Sequence, residues 1–236
     1  MINRGNKILI KNNKGGVGKS LITYWLAKGL AELGNKTLIL TSDNQNNILT
    51  YAGVTISIDK GLTSWLEYGT GELVKLSNNL YYIPLCEYKL KRNFEKKFEK
   101  LLNNLDEKYD YILIDASPVV GIDNVFIKIS DKIIIPTFLD EVSTQGIINM
   151  FEIVPKEKVK AIIPNRTLKG KTQEKYYQML LKELELYNIR VTKPIPQTNY
   201  ILNLINKGKS IWDTKAHKFI DIQKIFAEIL EVIIDE

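Results

Sequence analysis

Lys14-Gly15-Gly16-Val17-Gly18-Lys19-Ser20 stands between an apolar stretch that reads as a strand, Lys7–Asn12, and a run from about Gly18 to Leu33 that reads as a helix. No other feature of the 236 residues limits the fold so sharply. Glycines at 15, 16 and 18 let the backbone curl so that its N–H groups point inward at phosphate oxygens, and the N-terminus of the helix behind them favours an anion. In a loop of this kind the lysine before the hydroxyl residue, Lys19, reaches the β- and γ-phosphates, while the Ser20 hydroxyl ligates Mg²⁺. Gly15 to Leu21 are therefore the expected phosphate-side contacts of a nucleoside triphosphate.

The rest of the chain repeats the strand-then-helix alternation. Strands are expected at Thr37–Thr41, Leu80–Pro84, Tyr111–Asp115, Lys132–Thr137, Val159–Pro164 and Ile189–Val191. Helices are expected near 92–108, 122–130, 141–153, 173–187, 198–207 and 216–234. Ile112-Leu113-Ile114 and Ile133-Ile134-Ile135 are apolar on successive residues, a pattern that needs both sheet faces covered. The expected fold is α/β: a doubly wound, mostly parallel sheet with helices on both faces. With no repeat, linker or composition break, residues 1–236 read as one domain, and a first strand beginning at Lys7 leaves no room for an N-terminal accessory module.

Composition removes several chemistries. One cysteine, Cys86, and one histidine, His217, cannot build a disulfide, a structural zinc site or a cysteine-ligated cluster within one chain. No apolar run approaches the roughly 20 residues of a membrane span, and Met1 to Gly5 do not resemble a signal peptide. The expectation is a cytoplasmic protein. Its net charge of +6 is uneven: residues 156–218 carry net +9 and the remainder net −3. Such a bias is either a solvated face or a surface for a polyanion, which binds clustered cations through counterion release.

The glycine loop departs from the plain G-x-x-x-x-G-K-[ST] pattern, having Asn13 where the first glycine would stand and a second lysine, Lys14, before the glycine pair. This form resembles the deviant Walker A loop of the ParA/MinD family of ATPases. The resemblance implies ATP and Mg²⁺ as cofactors. It also implies that Lys14 reaches the partner's ATP across a nucleotide-sandwich homodimer and neutralises charge developing during phosphoryl transfer. Thr41-Ser42-Asp43-Asn44-Gln45-Asn46-Asn47 is similar to the family's D-x-D-P-Q-x-N segment. Asp43 falls on the aspartate that positions the attacking water, while Thr41 and Asn44 replace an aspartate and a proline. Tyr111 to Pro118 resembles the Walker B strand and its turn, placing Asp115 to hold a water of the Mg²⁺ shell, with Ser117 in place of a proline. The resemblance further implies that Asn165, in Ile162-Ile163-Pro164-Asn165-Arg166, reads the base edge. Pro196, in Pro194-Ile195-Pro196-Gln197, packs on the adenine ring, and Gly208 to Asp213 belongs to the same region.

Within the family, one cysteine excludes the nitrogenase iron protein, and the tail from Glu228 to Glu236 lacks the tyrosine cluster of the autokinases. The septum-site branch ends in a basic lipid-binding helix. Residues 221–236 are amphipathic but hold five acids and one lysine, so an anionic bilayer would repel them. The reading is a short ParA-type partition ATPase that is nucleoid-associated, binds non-specific DNA as an ATP dimer, uses no membrane, and is weakly active until a ParB-like centromere-binding adaptor stimulates hydrolysis. Lys215 and Lys218 are the first expected DNA contacts, with Lys169, Lys171, Arg190 and Lys193 as additions. The alternatives are a MinD-like membrane-cycling ATPase, a small-molecule ligase on a related fold, and a nucleotide-gated binding module with negligible hydrolysis.

Overall fold

A computed structural model describes residues 6–86, 93–117 and 123–234. Met1 to Gly5, Arg92, Pro118, Ile122 and the last two acids, Asp235 and Glu236, which entered the expectations above, lie outside them.

Eight strands form one sheet: β1 (Asn6–Ile10), β2 (Thr37–Thr41), β3 (Val74–Ser77), β4 (Leu80–Ile83), β5 (Tyr111–Asp115), β6 (Lys132–Thr137), β7 (Val159–Pro164) and β8 (Arg190–Val191). Their order is β3-β4-β2-β5-β1-β6-β7-β8, and every pairing is parallel except β3 with β4. The expected doubly wound sheet is therefore present. Its antiparallel edge was not expected: β3 is short and only partly buried, so it lacks the apolar run that marks the inner strands.

Nine helices connect and cover these strands among the described residues: α1 (Lys19–Glu32), α2 (Asn47–Tyr51), α3 (Leu62–Tyr68), α4 (Phe94–Asp106), α5 (Asp123–Ile129), α6 (Glu141–Met150), α7 (Lys171–Leu184), α8 (Asn199–Asn206) and α9 (Ile220–Ile234). The sequence pattern did not reveal α2 and α3, whose five and seven residues are too short to show a period.

Successive strand residues serve opposite layers. Ile8, Ile10, Leu113 and Ile134 pack with α1, α8 and α9 on one face, whereas Leu9, Ile112, Ile114, Ile133 and Ile135 pack with α4, α5, α6 and α7 on the other. All nine are completely buried. At roughly 1.5–3 kcal/mol for each fully buried aliphatic side chain, these strands tie the two layers together. α1 and α9 approach closely because residue 29 is glycine: a Cβ there would lie 2.7 Å from Leu230 Cδ1 and 3.1 Å from the Trp212 ring. Lys132 Nζ donates to the Ile233 carbonyl at 2.6 Å, giving the C-terminus of α9 a cation where its dipole favours one.

Candidate nucleotide site

β1 ends at Ile10, beside Asp115 in the parallel register, so the glycine loop and the Asp115 carboxylate emerge together at the carboxyl edge of the sheet. This is where ligands bind in open α/β folds. Asn12 starts the loop: its Nδ2 donates to the Pro136 carbonyl at 2.7 Å and its Oδ1 accepts the Lys14 N–H at 2.8 Å. Gly16 and Gly18 hold φ of 75° and 96°, the left-handed region that a side chain resists. At Gly18 space is also lacking, since a Cβ would fall 2.3 Å from Asn165 Nδ2.

The loop carbonyls are taken by side chains: Lys14 O by Lys19 Nζ at 3.1 Å, Gly16 O by Arg166 Nη1 at 3.3 Å, and Val17 O by Asn165 Nδ2 at 2.8 Å. No hydrogen bond among the described residues takes up the amides of Gly15, Gly16, Val17 or Gly18. A loop with its carbonyls occupied and its amides open has the polarity that a phosphate chain requires.

A cavity of about 400 Å³ opens at this loop. Gly15, Gly16, Gly18, Lys19, Ser20 and Leu21 line it together with Asp43, Asn47, Asp115, Ala116 and Ser117, and so do Asn165, Arg166, Pro196 and Gln197. Val17 is completely buried beneath the loop. Asp115 is buried and lines the cavity together with Ser20. Burial pushes its carboxyl up to about 6, with Asp43 adding to the rise and Ser20, Lys19 and Thr41 opposing it. Burial likewise lowers the Lys19 ammonium; Lys11 reinforces this, while Asp115, Asp43 and Asp123 counter it.

A serine hydroxyl beside a carboxylate is the hard-oxygen donor pair that suits Mg²⁺. Among the described residues no three His, Cys, Asp or Glu side chains are grouped to hold a metal alone.

The switch segment is tied to this centre. Thr41, standing at the family's first aspartate, has its hydroxyl 3.5 Å from Asp115 Oδ2 and accepts the Asp43 N–H at 3.0 Å. Ser42 Oγ accepts the Ser117 N–H at 2.8 Å. Asn46 adopts φ of 47°, and its Oδ1 receives Tyr82 Oη at 2.6 Å and the Leu85 N–H at 3.0 Å. Asn46 was missed, although an asparagine tolerates the left-handed region and its neighbours already read as a turn.

Farther along the chain, backbone bonds Ile195 N→Pro164 O (2.8 Å), Thr167 N→Ile195 O (3.0 Å) and Gln197 N→Thr167 O (2.9 Å) zip the Asn165 loop to the Pro196 loop. Arg166 sits at φ 53°, unusual for a residue without a local side-chain turn. Trp25, Tyr51, Ile201 and Ile205 complete the apolar wall, and nothing local in the sequence marked them. Residues 208–213, expected in the same region, do not line the cavity. Ser210 and Asp213 cap their own turn, and Trp212 Nε1 donates to the Trp25 carbonyl at 2.7 Å, so this stretch is packed onto α1.

Lys14 turns to its own chain. Its Nζ lies 3.0 Å from Asp140 Oδ2, 2.9 Å from Ser143 Oγ and 5.1 Å from the Phe138 ring centroid. Asp140 also caps α6, accepting the Ser143 N–H at 2.8 Å. An aspartate just before a helix was a readable signal, but its partner 126 residues away was not.

The six expected DNA-side cations are exposed and lie on separate segments. Lys169 and Lys171 lie at the start of α7, and Arg190 and Lys193 at the β8 edge. Lys215 and Lys218 lie just before α9, Lys218 with its Nζ 3.9 Å from the Tyr200 ring centroid. Arg190 is engaged by Glu228 at 3.6 Å.

A family model described as "AAA domain" matches residues 5–169. The uncharacterized protein MJECL24 of Methanocaldococcus jannaschii is 32% identical, over 97% of this chain and 98% of its own. The chromosome-partitioning ATPase Soj of Treponema pallidum is 27% identical over 64% of each chain. The septum site-determining protein MinD of Helicobacter pylori is 27% identical over 94% of this chain and 90% of its own. Among solved structures, an ATP complex of McdA from Cyanothece superposes with a TM-score of 0.82 at 18% identity, covering 97% of this chain and 96% of that one. That likeness is one of fold.

Proposed function

The chain belongs to the ParA/MinD family of P-loop ATPases, and from that premise we propose that it is a ParA-type DNA-partition ATPase working as one unit. The observation that carries the proposal is the convergence of the glycine loop, Asp43, Asp115, Asn165 and Pro196 on one cavity. In this reading ATP lies along the loop with Lys19 on its β- and γ-phosphates and the base between Asn165 and Pro196. Ser20 holds Mg²⁺ directly and Asp115 holds it through water. Asp43 orients the attacking water.

Lys14 leaves Asp140 and enters the partner's site when two protomers close on ATP, supplying positive charge where the transferring phosphoryl group needs it. The dimer presents two copies of Lys215, Lys218 and the other cations, doubling the phosphate contacts with non-specific DNA. A ParB-like adaptor then stimulates hydrolysis and releases the protein from the nucleoid.

The rival membrane-cycling reading is weakened by α9. Ile222, Ile225, Phe226, Ile229, Leu230 and Ile233 are all buried against the domain, and its exposed side is acidic. No described helix is long and apolar enough to cross a membrane.

The test is retention of random-sequence DNA by the protein loaded with a non-cleavable ATP analogue, compared with ADP, alongside sedimentation with anionic vesicles. Retention that requires the triphosphate, without vesicle binding, supports partition. Vesicle binding alone supports the rival, and turnover dependent on a carboxylate or amine co-substrate supports a ligase.

A further inference from the structure

Lys11 follows Ile8-Leu9-Ile10 directly, its backbone N–H still donating to the Ile134 carbonyl at 3.0 Å, and it is only 5% exposed. A buried ammonium persists only when it is paired. Here Nζ lies 2.5 Å from Asp123 Oδ2 and 3.0 Å from Asn13 Oδ1. These partners belong to different parts of the site: Asn13 leads into the glycine loop, and Asp123 is the first residue of α5.

Lys11 thus ties the end of β1, which is paired with Asp115, both to the glycine loop and to the start of α5. Ala116 and Ser117, which follow Asp115, line the same cavity as the glycine loop. Asp123 Oδ1, also buried, has no hydrogen-bond partner among the described residues. A single buried ion pair with spare acceptor capacity is a poor source of stability, because desolvation offsets most of its attraction. Its value lies in the two segments it joins. Both charges are also felt at Lys19, from which Lys11 takes and to which Asp123 gives electrostatic support.

We propose that Lys11 and Asp123 are positioning residues of the nucleotide site. Together they hold the leading edge of the glycine loop, at Asn13, against the first turn of α5. This rests on the cavity being a Mg·ATP site, and is independent of the dimer and DNA steps.

Binding of a fluorescent ATP analogue, with Mg²⁺ and with EDTA, tests it on the full chain at a temperature where each variant is folded. Lys11→Met and Asp123→Asn should each weaken Mg²⁺-dependent binding by about tenfold or more, the range seen when groups that orient metal-site ligands are removed. Lys11→Arg should restore most of it. Because one charge left alone can prevent folding, Lys11→Met combined with Asp123→Leu removes both charges, and such apolar replacement of a buried pair preserves folding. That variant should melt near the wild type yet bind as weakly as the single variants. Affinity within about twofold of wild type in this folded double variant would overturn the assignment and leave the pair a packing feature. Wild-type protein that fails to bind the analogue would instead overturn the nucleotide reading, and with it the assignment.

Discussion

Lys14 Nζ is held 3.0 Å from Asp140 Oδ2 by a carboxylate that simultaneously caps α6 through the Ser143 N–H. Partial burial opposes ionisation of Asp140, but the Ser143 N–H, Lys14 and the Ser143 hydroxyl outweigh it and hold the carboxyl below its usual range. Both side chains are well exposed, at 38% and 44%, so the pair contributes less than about 1 kcal/mol and can be surrendered to a stronger anion. A triphosphate on a second protomer is such an anion.

Asp140→Asn keeps the cap geometry and removes the competing charge, so it should raise basal ATP turnover and ATP-dependent dimerisation several-fold while leaving the melting temperature nearly unchanged. Lys14→Ala should bind ATP but lose stimulated hydrolysis, and in combination with Asp140→Asn should abolish the gain. Turnover and light scattering of the four proteins check this; a gain that survives Lys14→Ala would exclude Lys14 as its cause.

The loop and the inner sheet were legible because their signals are contiguous. Three glycines, a lysine and a serine state their chemistry within seven residues, and Ile112-Leu113-Ile114 states two-sided burial within three. What escaped was either short or non-local. β3 and α2 are too brief to show a period. Asp140 meets Lys14 across 126 residues and Asp123 meets Lys11 across 112, and no pattern in a single chain announces such a pairing. Lys11 offered half a signal: a lysine closing an apolar strand must find a counter-charge, though the sequence does not say which. Residues 208–213 lie against α1 and outside the cavity lining, an arrangement their sequence did not announce. Ser210 and Asp213 satisfy each other locally, which frees Trp212 to pack on α1.

Asp115 sets a pH dependence. Its carboxyl is raised from 3.8 to about 6 by burial in the folded chain. A raised folded value means that the native state holds the proton more tightly than the unfolded state does. This stabilising contribution is complete below about pH 4 and is lost as pH rises through 6. The size is on the order of 3 kcal/mol at about 1.4 kcal/mol per unit. Asp115→Asn has no such group to ionise, so its stability relative to wild type should climb between pH 4 and 6 and then level off. Urea melts of both apoproteins across that range provide the check, and a difference that stays flat with pH would contradict it.

Gly18 and Gly15 separate two reasons for glycine in one loop. Gly18 is left-handed, and a Cβ on it would strike Asn165 Nδ2, breaking the bond from Asn165 to the Val17 carbonyl. Gly15 meets nothing within 4 Å. Gly18→Ala should therefore lose about 2 kcal/mol of stability as well as ATP binding. Gly15→Ala should melt like the wild type and weaken only ATP binding, because its methyl group enters the space beside the phosphates. Paired melting curves and nucleotide titrations distinguish the two; equal melting temperatures for both variants would remove the conformational argument for Gly18.

Lys215 and Lys218 are exposed, and Lys218 rests on the half-exposed ring of Tyr200, which gives its long side chain a preferred direction without neutralising it. If these two are phosphate contacts, changing both to Ala should weaken DNA binding and flatten its salt dependence together. Each lost contact removes about 0.9 from the slope of log K against log salt, so the change is about 2 for one protomer's pair and about twice that for a dimer. ATP affinity should not move, because neither residue lines the nucleotide cavity. Arg190→Ala serves as the internal comparison: its guanidinium is already engaged by Glu228, so it should change the slope less than either lysine. Binding isotherms with the non-cleavable analogue at several salt concentrations measure all three quantities. A double variant whose affinity falls equally at every salt concentration would show that Lys215 and Lys218 support the fold of this region and do not touch phosphate.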